Sequence, residues 1–349
     1  MKSLHFLLPT AFLVVSSSSL FAGGSESQTP VQPEAQKILN VSYDPTRELF
    51  EQINPKFVEH FKKSQQLDIS VDQSHGGSGK QAQAVVDGLQ ADVVTLALAP
   101  DVDLLVENQL VSEDWQQKLP FNSAPYTSTI VFVVRSGNPK AVADWSDLVR
   151  SDVGLVTPNP RTSGGARWSY LAAWGYALQS GEQADGEAAA KEFVRKLYDR
   201  VVALDSGARD ATISFAEKNK GDVLITWENE AYQILESYPE SKFEIVLPSV
   251  SILAEPVVAV VDRVVDARGT REAATAYLNY LYTEEAQDII AQNHFRPRDE
   301  KILKKYEDSL KPISLFNLEQ KFGSWADVQN AHFAEGGTLD QILDDVSRD

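Results

Sequence analysis

A glycine-rich stretch at residues 72–80, with the sequence DQSHGGSGK, joins a strand-like run to a helix-like run. Ile69 and Val71 alternate with polar residues before it, whereas residues 81–89 carry apolar side chains at helical spacing after it. Glycine permits sharp turns and close approach of a ligand to the backbone, and Ser78 is a residue type favoured at helix N-caps. Because the first N–H groups of a helix lack partners and lie at its positive end, the stretch predicts an anion-binding turn.

A second turn of the same design occupies residues 157–168, where Ser163, Gly164 and Gly165 precede a helical run. Its hydroxyl and N–H groups also suit an anion. A third turn of small residues at 206–209 precedes another helical run. The recurrence predicts that several helix starts share one ligand.

Strand-like and helix-like runs alternate along most of the chain. The strand-like runs are residues 37–43, 68–72, 92–98, 153–157, 201–205 and 221–227. This alternation predicts an α/β fold with parallel sheets, whose ligands bind beside the C-terminal ends of the strands. Trp227 ends the last of these strands and is therefore expected at the ligand.

The predicted organisation has two lobes. Two long extended runs, near residues 125–134 and 252–261, are predicted to cross between them. The predicted parts are a signal peptide at residues 1–22, a disordered lead-in at 23–37, a first lobe of 38–124 plus 255–349, and a second lobe of 125–254.

The first residues indicate export. Lys2 is followed by an apolar and serine-rich stretch that ends near Ala22, as in a signal peptide cleaved after small residues. The chain has no cysteine, which excludes disulfides and a lipid-anchored cysteine. We therefore expect a freely soluble protein of the periplasm, not embedded in the membrane.

The charge and the histidines exclude several functions. The formal net charge of −18 argues against nucleic acid as a partner, because a phosphate backbone is repelled at long range. The histidines, five in number, show no metal-binding spacing, and no cofactor is expected. Residues 72–80 are not a nucleotide P-loop, since Gln81 stands where that motif needs Ser or Thr.

Five motifs, in this order, resemble the periplasmic sulfate-binding proteins of ABC importers and their thiosulfate-binding relatives. The motifs are VSYDPTREL at 41–49, DQSHGGSGK at 72–80, TSGGARW at 162–168, DSGAR at 205–209 and WENE at 227–230. Their order and spacing fit that family from Asn40 to about Leu339, which is nearly the whole mature chain.

The resemblance implies a type II periplasmic binding protein. Such a protein has two lobes, each with a mostly parallel sheet flanked by helices, joined by a two-segment hinge. It closes over a dehydrated sulfate or thiosulfate and delivers it, as a monomer and without catalysis, to an inner-membrane ABC permease. The resemblance assigns the donors as the N–H of Asp44, the N–H and hydroxyl of Ser78, the hydroxyl of Ser163, the N–H groups of Gly164, Gly165 and Ala208, and the indole of Trp227.

Physical chemistry agrees with a cage made only of donors. A dehydrated dianion loses several kcal/mol or more of solvation, while each charge-assisted hydrogen bond returns about 1.5–3 kcal/mol. A phosphate proton finds no acceptor in such a cage, at a cost of about 1–3 kcal/mol. Asp210 departs from the glycine usual in the family; a helix-capping role facing away from the ligand is expected.

Two alternatives stay open at this point. The same fold could bind phosphate or another tetrahedral oxyanion if Asp210 faced the ligand, and an exported hydrolase could use Ser78 as its nucleophile. The arginines next to the glycine turns, at 161, 167 and 209, are expected to brace those turns through salt bridges rather than to bind the anion. The aromatic residues at 168, 170 and 174 are expected in the core.

Overall fold

Strand–turn–helix units build two separate sheets in the computed structural model, which describes residues 36–180 and 186–347. The predicted signal peptide and all but the end of the predicted lead-in lie outside the described residues. Gln36 and Lys37, which the sequence analysis gave to the lead-in, begin the first strand and pair with Ile69 and Ser70.

The six predicted strands are present close to their predicted positions, as β1, β2, β3, β6, β7 and β8. The strands are β1 Gln36–Tyr43, β2 Ile69–Gly76, β3 Val93–Leu96, β4 Tyr126–Thr127, β5 Ile130–Val134, β6 Leu155–Pro158, β7 Val201–Asp205, β8 Val223–Trp227, β9 Glu244–Val246, β10 Ser251–Ile252, β11 Val257–Val260, β12 Arg296–Pro297 and β13 Leu315–Phe316. The α-helices are α1 Arg47–Gln65, α2 Ser78–Val86, α3 Ala99–Glu107, α4 Pro120–Ser123, α5 Gly164–Ser180, α6 Gly186–Asp199, α7 Ala208–Ala216, α8 Glu228–Ser237, α9 Asp262–Arg268, α10 Arg271–Tyr280, α11 Glu284–Gln292, α12 Glu300–Lys305, α13 Leu318–Phe322, α14 Trp325–Val328 and α15 Thr338–Val346.

Each sheet is mostly parallel at its centre and antiparallel towards one edge. The four-stranded sheet has the order β11-β3-β1-β2, with β1 parallel to β2 and β3 and with β11 antiparallel. The five-stranded sheet has the order β7-β6-β8-β5-β9, with β6 parallel to β7 and β8. Strands β3, β5 and β8 are buried along their whole length, because helices cover both faces of a parallel sheet.

The two predicted extended runs do connect the two sheets. Between β4 and β5, Ser128 forms an antiparallel bridge with Ala254, so the two crossing segments lie side by side. Two small two-stranded sheets accompany these segments: β12 pairs with β4, and β13 pairs with β10.

The C-terminal helices pack beside the five-stranded sheet. Helix α15 lies against α6, Trp325 stacks edge-on against Trp168 with ring centroids 5.0 Å apart, and Arg161 pairs with Asp340 at 2.6 Å. The lobe boundaries remain a prediction; for residues after 315 these contacts favour the second lobe over the first.

Candidate functional site

The C-terminal ends of strands from both sheets meet around one small cavity. Its lining residues are Tyr43, Asp44, Pro45, Gly76, Gly77, Ser78 and Ala97 from the four-stranded side, and Ser163, Gly164, Gly165, Ala208 and Trp227 from the five-stranded side. All the residues that the resemblance assigned are among them. The structure thus brings the predicted site together, and their contact with a ligand stays a prediction.

Backbone donors converge on this cavity because helices start there. Ser78, Gly164 and Ala208 are the first residues of α2, α5 and α7, and Asp44 is the first residue of a 3₁₀ turn, Asp44–Thr46. The N–H groups of a first helical turn have no acceptor within their own helix. They therefore present hydrogen-bond donors and the positive ends of helix dipoles to the cavity.

The side chain of Ser78 is engaged differently from the prediction. Its hydroxyl donates a short hydrogen bond to Oδ2 of Asp101 and accepts one from the N–H of Ala97 at 2.9 Å. A hydroxyl has a single hydrogen, so in this arrangement Ser78 offers the cavity its N–H but not its hydroxyl. Burial raises the pKa of Asp101, and the nearby Arg167 and the Ser78 hydroxyl partly offset this.

Ser163 keeps its hydroxyl hydrogen for the cavity. Its oxygen accepts a long hydrogen bond of 3.4 Å from the N–H of Ala166 in the first turn of α5. Accepting a capping bond uses a lone pair and leaves the hydrogen available. A role of the Ser163 hydroxyl as a donor to the ligand stays a prediction, and this geometry leaves its hydrogen free for it.

Trp227 brings a side-chain donor into the cavity from the end of β8. The indole is buried, with 1% of its surface exposed. A Cβ on Gly165 would lie 2.2 Å from its Nε1, so only glycine fits beneath the indole. The Trp227 ring also lies against Tyr43 of the opposite side, with centroids 5.8 Å apart.

The two sides of the cavity are in direct contact. A Cβ on Gly77 would lie 2.5 Å from the carbonyl oxygen of Thr162, and a Cβ on Gly164 would lie 2.6 Å from Cβ of Ala97. The indole of Trp168 donates to the carbonyl oxygen of Ala97 at 2.8 Å. The structure therefore shows a closed arrangement of the two sides.

The arginines near the glycine turns do not line the cavity. Arg209 pairs with Glu48 at 2.8 Å and lies 3.8 Å from Glu230, and Arg161 pairs with Asp340 as described above. The predicted bracing role is confirmed for these two. Arg167 instead donates to the carbonyl oxygen of Pro160 at 2.9 Å and to the amide oxygen of Gln329 at 3.4 Å.

Asp210 points away from the cavity. It is exposed, lies in the first turn of α7 and accepts a hydrogen bond from the Ser206 hydroxyl. The expected orientation away from the ligand is confirmed, which removes the observation that favoured a phosphate site, but the expected capping role is wrong, since the N-cap of α7 is Gly207 and no side chain caps this helix. The core role predicted for the aromatic residues of α5 is confirmed as well, since Trp168, Tyr170 and Trp174 are all buried.

Sequence reasoning missed several residues of the site. Tyr43, Pro45 and Ala97 line the cavity and Asp101 fixes the Ser78 side chain. Ala97 directly follows β3. The rule that ligands lie at the C-terminal ends of parallel strands would have pointed to it, whereas the position of Asp101 on α3 gives no such signal.

Two surveys of the described residues bear on other kinds of function. Within residues 36–180 and 186–347, no cluster of three or more histidine, aspartate or glutamate side chains is arranged to hold a metal ion. No helix in the same part of the chain combines the length and the apolar character needed to cross a membrane.

Comparison with known proteins decides the family. The family model described as "Bacterial extracellular solute-binding protein" matches residues 38–296. The chain belongs to this family. As an extracellular solute-binding protein it is a binding protein and not an enzyme, and its predicted fold class of two α/β lobes is confirmed.

Individual members of the solute-binding family share much of the sequence. A sulfate-binding protein of Escherichia coli is 55% identical over 314 residues, covering 90% of this chain and 95% of the relative. A thiosulfate-binding protein of Pseudomonas aeruginosa is 50% identical, covering 88% and 92%. The solved structure of the sulfate-binding protein SubI from Mycobacterium tuberculosis is 31% identical with a TM-score of 0.77, covering 85% of this chain and 99% of that one.

Proposed function

We propose that this protein captures sulfate in the cavity between its two sheets. The observation that carries the proposal is the set of donors on the cavity wall. Asp44, Ser78, Gly164, Gly165 and Ala208, which we expect to donate through their backbone N–H groups, line the cavity together with Ser163 and Trp227. The sulfate-binding relative at 55% identity supports the same ligand.

Neutral donors are sufficient for a dianion in such a cavity. Each hydrogen bond to a charged oxygen contributes about 1.5–3 kcal/mol, and each helix start adds about 0.3–1 kcal/mol through its dipole. Together they offset the several kcal/mol or more lost when the anion leaves water. The carboxylate of Asp44 accepts a hydrogen bond from Arg47 at 3.0 Å, which neutralises the negative side chain next to the cavity.

The donor character of the wall favours a ligand without a proton. Ser78 Oγ already accepts from Ala97, and Asp210 is exposed away from the cavity. Neither of these two groups therefore accepts the proton of hydrogen phosphate, and a proton left without an acceptor costs about 1–3 kcal/mol. Thiosulfate lacks such a proton too, and the 50% identical thiosulfate-binding relative supports it as a second ligand.

Delivery of sulfate to an inner-membrane ABC permease completes the proposed role. We infer that the chain is exported to the periplasm, cleaved near Ala22 and acts there as a monomer. The extracellular family and the lysine-led apolar start of the sequence support this inference. Amino-terminal sequencing of protein from a periplasmic extract is expected to begin directly after residue 22 or 23; an intact Met1 in that extract would contradict cleavage.

Titration of the purified, sulfate-free protein tests the ligand. Sulfate and thiosulfate are expected to change the tryptophan emission saturably, with phosphate at least about tenfold weaker because its proton stays unpaired. The Trp227→Phe variant, which retains the other tryptophans as fluorescent reporters, is expected to bind sulfate more weakly than the wild type. Absence of a sulfate response, or tighter binding of phosphate, would overturn the proposal.

A further inference from the structure

Asn229 lies two residues after Trp227 and ties the two sides of the cavity together. Its side chain is fully buried, at 0% exposure. Its Nδ2 donates to the carbonyl oxygen of Pro45 at 3.1 Å. Asn229 belongs to α8 beside the five-stranded sheet, whereas Pro45 belongs to the 3₁₀ turn that follows β1 of the four-stranded sheet.

The two ends of this hydrogen bond carry donors of the candidate site. The turn that contains Pro45 begins with Asp44, which lines the cavity and is the expected N–H donor, and the segment that contains Asn229 begins at Trp227. A fixed distance between Asn229 and Pro45 therefore fixes the spacing of these two ligand donors. A hydrogen bond needs a donor–acceptor distance of about 2.7–3.2 Å and weakens steeply at angles below about 120°, so a displaced donor binds the anion less well.

We propose that Asn229 is a positioning residue that holds the closed cavity around the anion without touching it. The inference rests on the proposed function. When the two sides separate, water reaches both the amide and the Pro45 carbonyl and replaces their mutual bond. The bond therefore stabilises only the closed form, and its loss accelerates release of the ligand.

The rest of the Asn229 side chain supports a role in closure rather than in folding. Its Oδ1 is buried and has no hydrogen-bond partner among the described residues. A buried unpaired acceptor weakens the fold, so overall stability does not explain an asparagine here. The need for a donor towards Pro45 does explain it.

Other contacts also join the two sides of the cavity; the hydrogen bond from the Trp168 indole to the carbonyl oxygen of Ala97, at 2.8 Å, is buried like that of Asn229. The Arg209–Glu48 pair also bridges the two sides, but its side chains are 33% and 38% exposed, and exposed ion pairs contribute little. The contact between Tyr43 and Trp227 is aromatic packing. Asn229 supplies a buried polar bond with a defined direction.

Stopped-flow tryptophan fluorescence and thermal unfolding, each with and without sulfate, test the inference. Asn229→Ala removes the side chain, and Asn229→Asp keeps its size but replaces the donor by a second acceptor facing the Pro45 carbonyl. Both variants are expected to release sulfate at least about tenfold faster, with an association rate close to that of the wild type. Their Tm without sulfate should stay within about 2 °C of the wild type, whereas the rise in Tm caused by sulfate should shrink.

Asn293 offers a matched control. It is also buried, and its Nδ2 donates to a carbonyl oxygen at 2.9 Å, but that carbonyl belongs to Ile289 of its own helix. Asn293→Ala and Asn293→Asp should lower Tm equally with and without sulfate and leave the release rate unchanged.

Three outcomes separate the possibilities. Unchanged release rates in both Asn229 variants, beside normal binding by the wild type, overturn the inference alone. Equal losses of Tm with and without sulfate overturn it as well, because they indicate a purely structural role. A wild-type protein that does not respond to sulfate overturns the proposed function and the inference with it.

Discussion

At the level of single residues, two serines with similar sequence surroundings have different roles. Ser78 and Ser163 both stand next to glycine at the start of a helix. The Ser78 hydroxyl is directed to Asp101, whereas the Ser163 hydroxyl accepts a capping bond and keeps its hydrogen. The environment of each hydroxyl, and not the motif, determines which one donates to a ligand.

The two serines therefore predict different effects of alanine. Ser163→Ala removes one charge-assisted donor and should weaken sulfate binding about 10- to 100-fold with little change in Tm. Ser78→Ala leaves Asp101 buried without its partner, so it should mainly lower the free energy of unfolding, by about 1–3 kcal/mol. Isothermal titration with sulfate and urea unfolding of both variants check this. Equal effects of the two substitutions on affinity would contradict the assignment.

Glu230 is a buried carboxyl next to the site that titrates near neutral pH. Burial raises its pKa from 4.5 to about 7, with the nearby Glu48 and Asp44 acting in the same direction and Arg209 against it. The folded protein thus holds this proton more tightly than the unfolded chain does. The resulting stabilisation is complete below about pH 4.5 and is lost as the pH rises through about 7.

A Glu230→Gln variant isolates this titration. Relative to the variant, the wild type should lose up to about 3 kcal/mol of unfolding free energy between pH 4.5 and pH 8. Urea unfolding of both proteins across this range measures the difference between them, in which titrations common to both cancel. A difference that does not change with pH would show that Glu230 does not titrate as described.

At the level of elements, glycines at the helix starts allow the two sides of the cavity to come into contact. The sequence analysis expected glycine for its unusual conformations, yet Gly77 has φ −59° and ψ 134°, which any residue can adopt. That expectation was wrong for Gly77. The expected approach of a ligand to this backbone stays a prediction; the group found close to Gly77 belongs to the opposite side of the cavity, since a Cβ on Gly77 would lie 2.5 Å from the Thr162 carbonyl oxygen.

A methyl group at Gly77 or Gly164 should therefore overlap with the opposite side of the cavity and keep the two sides from closing fully. Gly77→Ala and Gly164→Ala are expected to leave Tm without ligand near the wild-type value and to weaken sulfate binding by about ten- to hundredfold, from an overlap cost of about 1–3 kcal/mol. Gly79→Ala is the control, because its Cβ would meet its nearest neighbour at 3.7 Å. Calorimetric titration with sulfate measures the affinity of all three variants. Wild-type affinity in both Gly77→Ala and Gly164→Ala would rule out a role of these glycines in the contact between the two sides.

At the level of the whole molecule, the charge opposes the proposed ligand. The chain carries a formal charge of −18, so a sulfate dianion is repelled during its approach. Helix dipoles and N–H groups act only over the last few ångströms. Recognition is thus local, while the rate of encounter depends on the field of the entire protein.

The association rate of sulfate should consequently rise with ionic strength. Raising NaCl from 10 to 150 mM shortens the Debye length from about 30 Å to about 8 Å, which screens the repulsion. We expect the association rate of sulfate to rise two- to tenfold, in line with salt effects on electrostatically steered association. The dissociation rate should stay nearly constant, because the site is buried. Stopped-flow fluorescence measures both rates. A falling association rate would instead indicate a local attractive field at the cavity entrance.

The sequence alone determined the order of strands and helices, the α/β class and the positions of the turns that line the cavity. Ser78, Ser163 to Gly165, Ala208 and Trp227 were predictable because strand periodicity, glycine turns and helix starts depend on neighbours within a few residues. Because ligands of parallel sheets bind beside the C-terminal ends of the strands, these residues were then expected at those ends.

Tertiary structure decided everything that depends on contacts between distant segments. Asp101 is 23 residues from Ser78, and Asn229 is 184 residues from Pro45, and each pair is joined by one hydrogen bond. The packing of α15 on α6 is of the same kind. A local sequence pattern specifies which groups a segment presents. Hydrogen bonds and close packing between distant segments form only once the two sheets face each other. They therefore cannot be predicted from neighbouring residues alone.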